Sequence, residues 1–339
     1  MKTPIIVINP TVDEMFKLKS MLSGETVSAI TEISSAENFA SAIANGGLIR
    51  LNENISLDGF NIPSGATVVL DLNGNTLSSS TDASNMDKSN PIYDFVLSGN
   101  VTLKNGSLNV VGIKNTGSLK LDNVHITKES NYGAAIKNET GASLTMDSKS
   151  KITVNAAGSV TDTSGAACIR SYGNLTINGS EFESKSMRTY AIISDGTTTI
   201  NDIIISGKHG GIAFDSGNAV INDGEYIADR YYGAYLSIDA GTGTTVKIYG
   251  GTFRGGSTGA NTSVLVGSDD YNLVDASVEI YGGTFYGKLK NQSNVLPNNG
   301  VKIYGGLFEE IPNESMIADG YSCSTEKNSD GFYEVTKNN

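Results

Sequence analysis

The feature that most constrains this chain is an internal repeat. Three closely similar segments begin at Val246, Val278 and Val301, and they read VKIYGGTF, VEIYGGTF and VKIYGGLF. Seven weaker copies precede them, and the third residue of the ten copies is Leu70, Leu103, Leu121, Met146, Ile177, Ile200, Ile221, Ile248, Ile280 and Ile303. The copies are about 26 residues apart on average. A unit this short cannot bury its own apolar face, so the repeat predicts units that stack on one another.

Each copy consists of two short strand patterns separated by a corner. Apolar and polar residues alternate on both sides of a Gly or Asn, and these two residue types accept the backbone conformations of tight corners. A second motif lies between copies and reads GIKNTG, AIKNETG, CIRSYG, AIISDG and IAFDSG, starting at Gly112, Ala135, Cys168, Ala191 and Ile212. Each repeat therefore carries about three strands, and its residues show no helical periodicity.

The composition agrees with an all-β chain. Of the 339 residues, 39 are Gly and 33 are Asn, and both are poor helix formers. None of the six Pro lies between residues 92 and 296, and Pro cannot donate to a strand ladder. The Leu and Asn spacing of a leucine-rich repeat is missing, and a propeller blade needs about 40 residues. The sequence predicts a single-stranded parallel β-helix, a solenoid of about ten coils.

The start of the array carries a helix signal at residues 34–45, and an amphipathic helix there can cover the open end of a solenoid. Ser34 and Glu37 are spaced as a capping box, and Gly46 is placed to end the helix. The predicted apolar face consists of Phe39, Ala40 and Ile43.

Three regions follow from these patterns. Residues 1–30 do not join the repeat, residues 31–312 form the predicted β-helix with its capping helix, and residues 313–339 form a C-terminal cap. The cap has the pattern of a hairpin with a turn near Asp330 and Gly331. We expect this hairpin to pair with the last coil and cover its exposed edge.

The ends of the array carry a family resemblance. From Glu37 the chain reads ENFASAIANGGLIRLNENISLDGFNIPSGATVVLDLNGNTLS, and near its end it reads IADGY and then DGFYEV. With the VKIYGGTF copies, these segments resemble right-handed parallel β-helix proteins of the pectin-lyase-like superfamily over residues 31–337. The resemblance implies a right-handed β-helix. It implies no single activity, because the superfamily includes lyases, hydrolases, adhesins and phage structural proteins.

Charge and apolar content exclude several classes of partner. The formal net charge is −12, whereas contacts with nucleic-acid phosphates or anionic membranes need an excess of Lys and Arg. No apolar stretch approaches a membrane span, and residues 5–8 are too short for a signal sequence. We therefore expect no nucleic-acid partner, no membrane partner and synthesis in a cytoplasm without export. Cys168 and Cys323 are expected to be free thiols.

Basic residues at equivalent positions predict two surface columns. The first column, with its aromatic neighbours, consists of Arg188, Tyr190, Lys208, His209, Arg230, Tyr231 and Tyr232. The second column consists of Lys114, Lys137 and Arg170, each of which follows an inward Ile. Stacked cations beside Tyr rings suit an acidic glycan, because cations bind carboxylates and rings pack on sugar faces. The alternative is that both columns are solvated residues that protect the surface of the rod from association.

The sequence contains no complete catalytic set. Asp195 and Asp215 occupy equivalent places in AIISDG and IAFDSG, and two carboxylates on adjacent coils can hold a cation or act as an acid–base pair. Turn residues that bond their own backbone are the alternative. Lys208-His209-Gly210 and the later Asp269-Asp270 resemble fragments of the β-helix galacturonan hydrolase motifs, but their order is wrong and Arg-x-Lys is missing. We therefore predict no catalytic residue, no metal site and no cofactor.

Residues 1–30 have the pattern of an attachment segment without a core of its own. The candidate attachment residues are Pro4, Ile5, Ile6, Ile8, Met15 and Phe16. With an acidic β-rod behind it, this segment resembles the docking part of bacteriophage fibres and head or tail appendages. The resemblance implies a non-enzymatic virion protein, a homo-oligomer with a trimer favoured, which binds capsid or other virion proteins and contacts host-surface polysaccharide. The alternatives are a polysaccharide lyase or depolymerase acting on acidic glycan and, third, a bacterial surface adhesin.

Overall fold

The computed structural model describes residues 30–87, 89–156, 165–187, 189–229, 232–236, 244–256, 262–266, 276–291 and 300–339. The elements in chain order are β1 (Thr31–Ile33), α1 (Ala36–Asn45), β2 (Gly47–Leu51), β3 (Ile55–Leu57), β4 (Phe60–Ile62), β5 (Thr67–Asp71), β6 (Thr76–Ser79), β7 (Phe95–Leu97), β8 (Asn100–Val110), β9 (Ile113–Asn115), β10 (Ser118–Lys128), β11 (Tyr132–Asn138), β12 (Ser143–Met146), β13 (Lys151–Val154), β14 (Gly165–Ser171), β15 (Asn174–Ser184), β16 (Ile192–Ser194), β17 (Thr197–Gly207), β18 (Gly210–Phe214), β19 (Asn218–Ile221), β20 (Glu225–Ala228), β21 (Tyr232–Leu236), β22 (Thr244–Ile248), β23 (Thr252–Arg254), β24 (Thr262–Val266), β25 (Ala276–Ile280), β26 (Thr284–Tyr286), β27 (Lys288–Asn291), β28 (Val301–Ile303), β29 (Gly306–Phe308), β30 (Tyr321–Cys323) and β31 (Tyr333–Lys337). A short 3-10 helix, Glu314–Met316, precedes β30. Within these ranges, no helix is long and apolar enough to cross a membrane.

The described strands form two sheets in which parallel pairing predominates. The smaller sheet follows the order β4, β7, β9, β11, β14, β16, β18, β21, β24 and β27, so the chain adds one strand to it per repeat. The other strands belong to the larger sheet. Among the described strands, only the C-terminal strand β31 pairs antiparallel, with β29 and β30. The all-β prediction is confirmed, and the parallel pairing is consistent with a β-solenoid.

The pairing register reproduces the repeat alignment residue by residue. Leu70 pairs with Leu103, and each of the ten aligned residues pairs with the next one, ending with Ile280 and Ile303. Ile49 pairs with Leu70 in the same register, and the sequence alignment missed this earlier member. Residues at the same position of successive repeats are therefore neighbours on adjacent strands of the sheet.

The core lies between the sheets and follows the alternation of the strands. All ten aligned side chains have 0% solvent exposure, and burial of one such side chain contributes about 1.5–3 kcal/mol. Four rings at another repeated position, Tyr226, Phe253, Phe285 and Phe308, stack with centroid distances of 4.5, 4.9 and 4.9 Å. These distances match the strand spacing of about 4.8 Å, so the rings follow the strand pairing.

The corners use the residues that the sequence places there. Asn105 and Asn123 bend the long strands β8 and β10 with φ of 57°, a conformation that Asn accepts more readily than most residues. A Cβ atom on Gly106 would lie 2.5 Å from the Cβ of Leu72, so only Gly fits at this close approach between repeats. Inside a second corner, the Nδ2 of Asn115 donates to the Oδ1 of Asn138 at 2.7 Å.

The N-terminal helix is present, but two details of its prediction were wrong. α1 begins at Ala36 with Ser35 as N-cap, and the Ser35 side chain makes no capping hydrogen bond, so the predicted capping box is absent. Ala40 is exposed, because the face that packs on the sheets is instead Phe39, Ala42 and Ile43. The predicted stop is confirmed, since the Gly46 N–H bonds the carbonyls of Ala42 and Ile43.

The C-terminal hairpin forms as predicted. Strands β30 and β31 pair antiparallel, and the turn between them includes Asn328 and Gly331, whose φ is 87°. β31 also pairs with β29, so it covers the edge of the last parallel strand in the larger sheet. Residues 1–29, including all six candidate attachment residues, lie outside the described residues.

Candidate functional site

The second basic column forms on the smaller sheet. Lys114 of β9 pairs with Lys137 of β11, and Lys137 pairs with Arg170 of β14, so the three cations lie on adjacent strands. The equal offset of each cation from the preceding Ile was the sequence signal for this column. The alternating strand pattern turns these side chains away from the buried Ile residues and towards the surface.

Three carboxylates neutralise the second column. Glu139 lies between the two lysines, with its Oε1 at 3.5 Å from Lys114 Nζ and 2.9 Å from Lys137 Nζ. Arg170 binds two carboxylates at once, with Nη2 at 2.8 Å from Asp195 Oδ2 and Nη1 at 3.2 Å from Asp215 Oδ2. Three cations therefore face three carboxylates, and the second column together with these carboxylates has no net formal charge.

Two tyrosines complete this surface. The Lys137 ammonium lies 5.9 Å from the centre of the Tyr93 ring and 5.6 Å from that of Tyr172, while the Arg170 guanidinium lies 5.1 Å from the Tyr172 ring. The Tyr93 hydroxyl accepts a hydrogen bond from the Ala134 N–H at 3.3 Å, and burial raises the pKa of Tyr93 to about 12. The rings therefore interleave with the cations, as a cation–π arrangement requires.

The sequence predicted that Asp195 and Asp215 lie on adjacent strands, and the structure agrees. They follow β16 and β18, and the Asp215 N–H bonds the carbonyl of Ser194, the residue before Asp195. Their shared partner Arg170 was not predicted. Because both carboxylates bind one guanidinium, the arrangement holds three repeats together.

The first basic column lies largely outside the described residues. Its strand register is present, since Ile192 pairs with Ile212 and Ile212 with Ala234. Arg188, Arg230 and Tyr231 are outside the described part of the chain, and Tyr232 is described by its backbone alone. The column therefore stays a prediction at those positions.

The described members of the first column already contact protein groups. The exposed Lys208 ammonium lies 2.6 Å from Asp229 Oδ2, and this hydrogen bond raises the pKa of Lys208. The Tyr190 and His209 rings meet edge to face with centroids 4.9 Å apart, and His209 Nδ1 lies 3.3 Å from the Met187 carbonyl.

The described residues contain no group of three or more His, Cys, Asp or Glu side chains that can hold a metal ion. The second histidine, His125, lies with Nε2 3.2 Å from Thr153 Oγ1, and burial lowers its pKa. Cys168 is buried and Cys323 is half-buried, and both thiols are free, as predicted.

Sequence reasoning missed three members of the surface around the second column. Glu139 and Tyr172 each stand two residues after a column cation, in AIKNETG and CIRSYG, so a search at equal offset finds both. Tyr93 belongs to no repeated motif and approaches the column only in the folded chain. Comparison of the chain with protein-family models, curated proteins and solved structures finds no match.

Proposed function

We propose that this protein is a non-enzymatic structural component of a bacteriophage virion, a head fibre or a capsid or tail appendage. Its body is a right-handed single-stranded parallel β-helix of about ten coils. The unbroken register from Leu70 to Ile303 supports a rod. The helix α1 and the strand β31, at opposite ends of the array, support a body with covered ends.

In this proposal residues 1–30 bind capsid or other virion proteins, and the body projects as a homo-oligomer, with a trimer favoured. The first strand of the array, β1, begins at Thr31, so the attachment segment leads directly into the rod. The virion is the corresponding location, after synthesis in the host cytoplasm.

The observation that carries the non-enzymatic assignment is the neutralised second column. An acid–base pair needs one carboxyl that gives up its proton and another that keeps it. Asp195 and Asp215 instead bind the same guanidinium, so Arg170 engages an oxygen of each carboxylate that an acid–base pair would present to a substrate. This bridge suits a mechanical role, since it ties repeats together along the rod.

Contact with an acidic host-surface polysaccharide is the second part of the proposal. The support for it is the interleaving of Lys137 and Arg170 with Tyr93 and Tyr172. An acidic chain would displace Glu139 from the lysines and use the rings as packing surfaces. The first column, from Arg188 to Tyr232, is the other candidate surface for the same chain.

Attachment is tested by assembling particles with the full chain, with a chain lacking residues 1–30 and with the surface control Lys185→Met. We expect the deletion to abolish incorporation, measured by quantitative immunoblotting of purified particles, and the control to incorporate normally. Incorporation of the shortened chain would reject the attachment role. Release of reducing ends or unsaturated sugars from acidic polysaccharide by the full chain would favour the lyase alternative.

A further inference from the structure

A ladder of exposed tyrosines lies on the larger sheet, near its C-terminal end. The rings of Tyr249, Tyr281 and Tyr304 stack with centroid distances of 4.9 and 4.8 Å and with planes within 10° of parallel. Tyr249 is 48% exposed and Tyr281 is 38% exposed, and they are among the most exposed large apolar side chains that the structure describes. We call these three residues the tyrosine ladder.

Strand stacking alone does not require tyrosine at this position. The equivalent residues of the three preceding repeats are Asn178, Asn201 and Asn222, whose amides bond one another at 2.7 and 2.8 Å. The amide ladder thus satisfies the same geometry without exposing a ring. Exposed apolar surface that the fold does not need points to a ligand or partner.

A groove follows the ladder along the chain. Each tyrosine is followed by two glycines, and the groove has a volume of about 420 Å³. Its lining includes Gly251, Gly283 and Gly306 and the residue that follows each of them, Thr252, Thr284 and Leu307. Carboxylates stand at its two ends, Asp223 in the preceding repeat and Glu334 on β31. The groove therefore crosses three successive repeats.

The polar groups of this groove select one class of ligand. The N–H groups of Thr252, Thr284 and Leu307 already donate to carbonyls of neighbouring repeats, so no backbone edge is free there for a peptide strand. Asp223 and Glu334 repel acidic chains and accept hydrogen bonds from hydroxyl groups. The lining residues of the groove are not aromatic, and the rings come from the tyrosine ladder, whose members precede the glycines of the groove in the chain. Sugar hydroxyl groups both donate and accept hydrogen bonds and sugar faces pack on rings, so the groove and the ladder together match a sugar chain without carboxylates.

We propose that the tyrosine ladder and its groove bind a neutral oligosaccharide that lies across the strands. The strand spacing of about 4.8 Å is close to the length of one sugar unit in an extended chain, so three repeats offer equivalent contacts to three units. Glu279 orients the ladder because its Oε2 accepts a hydrogen bond from the Tyr281 hydroxyl at 2.9 Å. The Lys247 ammonium lies 3.0 Å from the same oxygen and neutralises Glu279. This site is separate from both basic columns, and it does not depend on the virion assignment.

The test is calorimetric titration of the full chain with neutral hexasaccharides of glucose, mannose and N-acetylglucosamine, and with hexagalacturonate. We expect at least one neutral chain to bind and hexagalacturonate not to compete. Thr284→Arg fills the groove from an outward-facing position, and Tyr249→Ala removes the end of the ladder. Each is expected to weaken binding about tenfold or more, which corresponds to about 1.4 kcal/mol.

Ile204→Arg is the matched control, because Ile204 is 50% exposed and stands in the same column as Thr284, three repeats earlier. It is expected to bind like the unmodified chain, and circular dichroism checks that all variants are folded. Three results would each overturn the proposal. They are failure of every neutral hexasaccharide to bind, displacement of the bound neutral chain by hexagalacturonate, and unchanged affinity in Thr284→Arg or Tyr249→Ala.

Discussion

Lys128 provides the sharpest test of the packing inside the repeat array. Its side chain is 0% exposed and occupies a position that is Val110 in the preceding repeat and Val154 in the following one. The ammonium donates to the Val111 carbonyl and, at 2.6 Å, to Ser130 Oγ. Burial lowers the pKa of Lys128 from its ordinary value of 10.5 to about 8, although Asp94 opposes the shift.

The direction of the pH effect follows from which state binds the proton. Between pH 8 and 10.5 the unfolded chain keeps the Lys128 proton while the folded protein loses it. The free energy of unfolding therefore rises with pH across this window, and the charged Lys128 destabilises the fold below pH 8. The pKa interval corresponds to about 3 kcal/mol, because one pKa unit is worth about 1.4 kcal/mol.

The measurement compares the unmodified chain with Lys128→Met by urea denaturation from pH 7 to 11. Loss of the hydrogen bond to Val111 costs Lys128→Met about 1–3 kcal/mol at every pH, so only the change in the difference matters. We expect the unmodified chain to gain about 3 kcal/mol relative to Lys128→Met over this range. Lys185→Met, which removes an exposed charge, is the control. Parallel stability curves for the unmodified chain and Lys128→Met would refute the argument.

Three further predictions concern other contacts. Arg170→Ala removes the shared partner of Asp195 and Asp215 and is expected to lower the free energy of unfolding by about 1–3 kcal/mol. An unchanged urea midpoint would show that this bridge does not stabilise the fold. Phe285→Ala removes a ring between Phe253 and Phe308 and is expected to cost about 3–5 kcal/mol by calorimetry, whereas a loss below about 1 kcal/mol would contradict the stacked core. Burial raises the pKa of the fully buried Cys168 thiol, so Ellman's reagent is expected to modify only Cys323 before unfolding; rapid reaction of both thiols would disprove this.

The strand register could be predicted from sequence because, in stacked repeats, equivalent residues of successive repeats pair on adjacent strands. The ten aligned residues pair in order, and Lys114, Lys137 and Arg170 become neighbours for the same reason. Period-two alternation also assigned these positions to the inner and outer faces. The corner residues followed from the conformations that Gly and Asn accept, as at Asn105 and Gly106.

Contacts between different motifs could not be predicted in this way. Tyr93 reaches Lys137 from outside the repeat pattern, and Arg170 joins Asp195 and Asp215 across three repeats. The cap at Ser35 and the hydrogen bonds of Lys128 likewise depend on local geometry that spacing does not specify. By itself, the sequence determined the columns and corners, because repetition encodes register. Only the tertiary structure decided which charges are neutralised and which rings are exposed, because partners distant in sequence set the surroundings of each side chain.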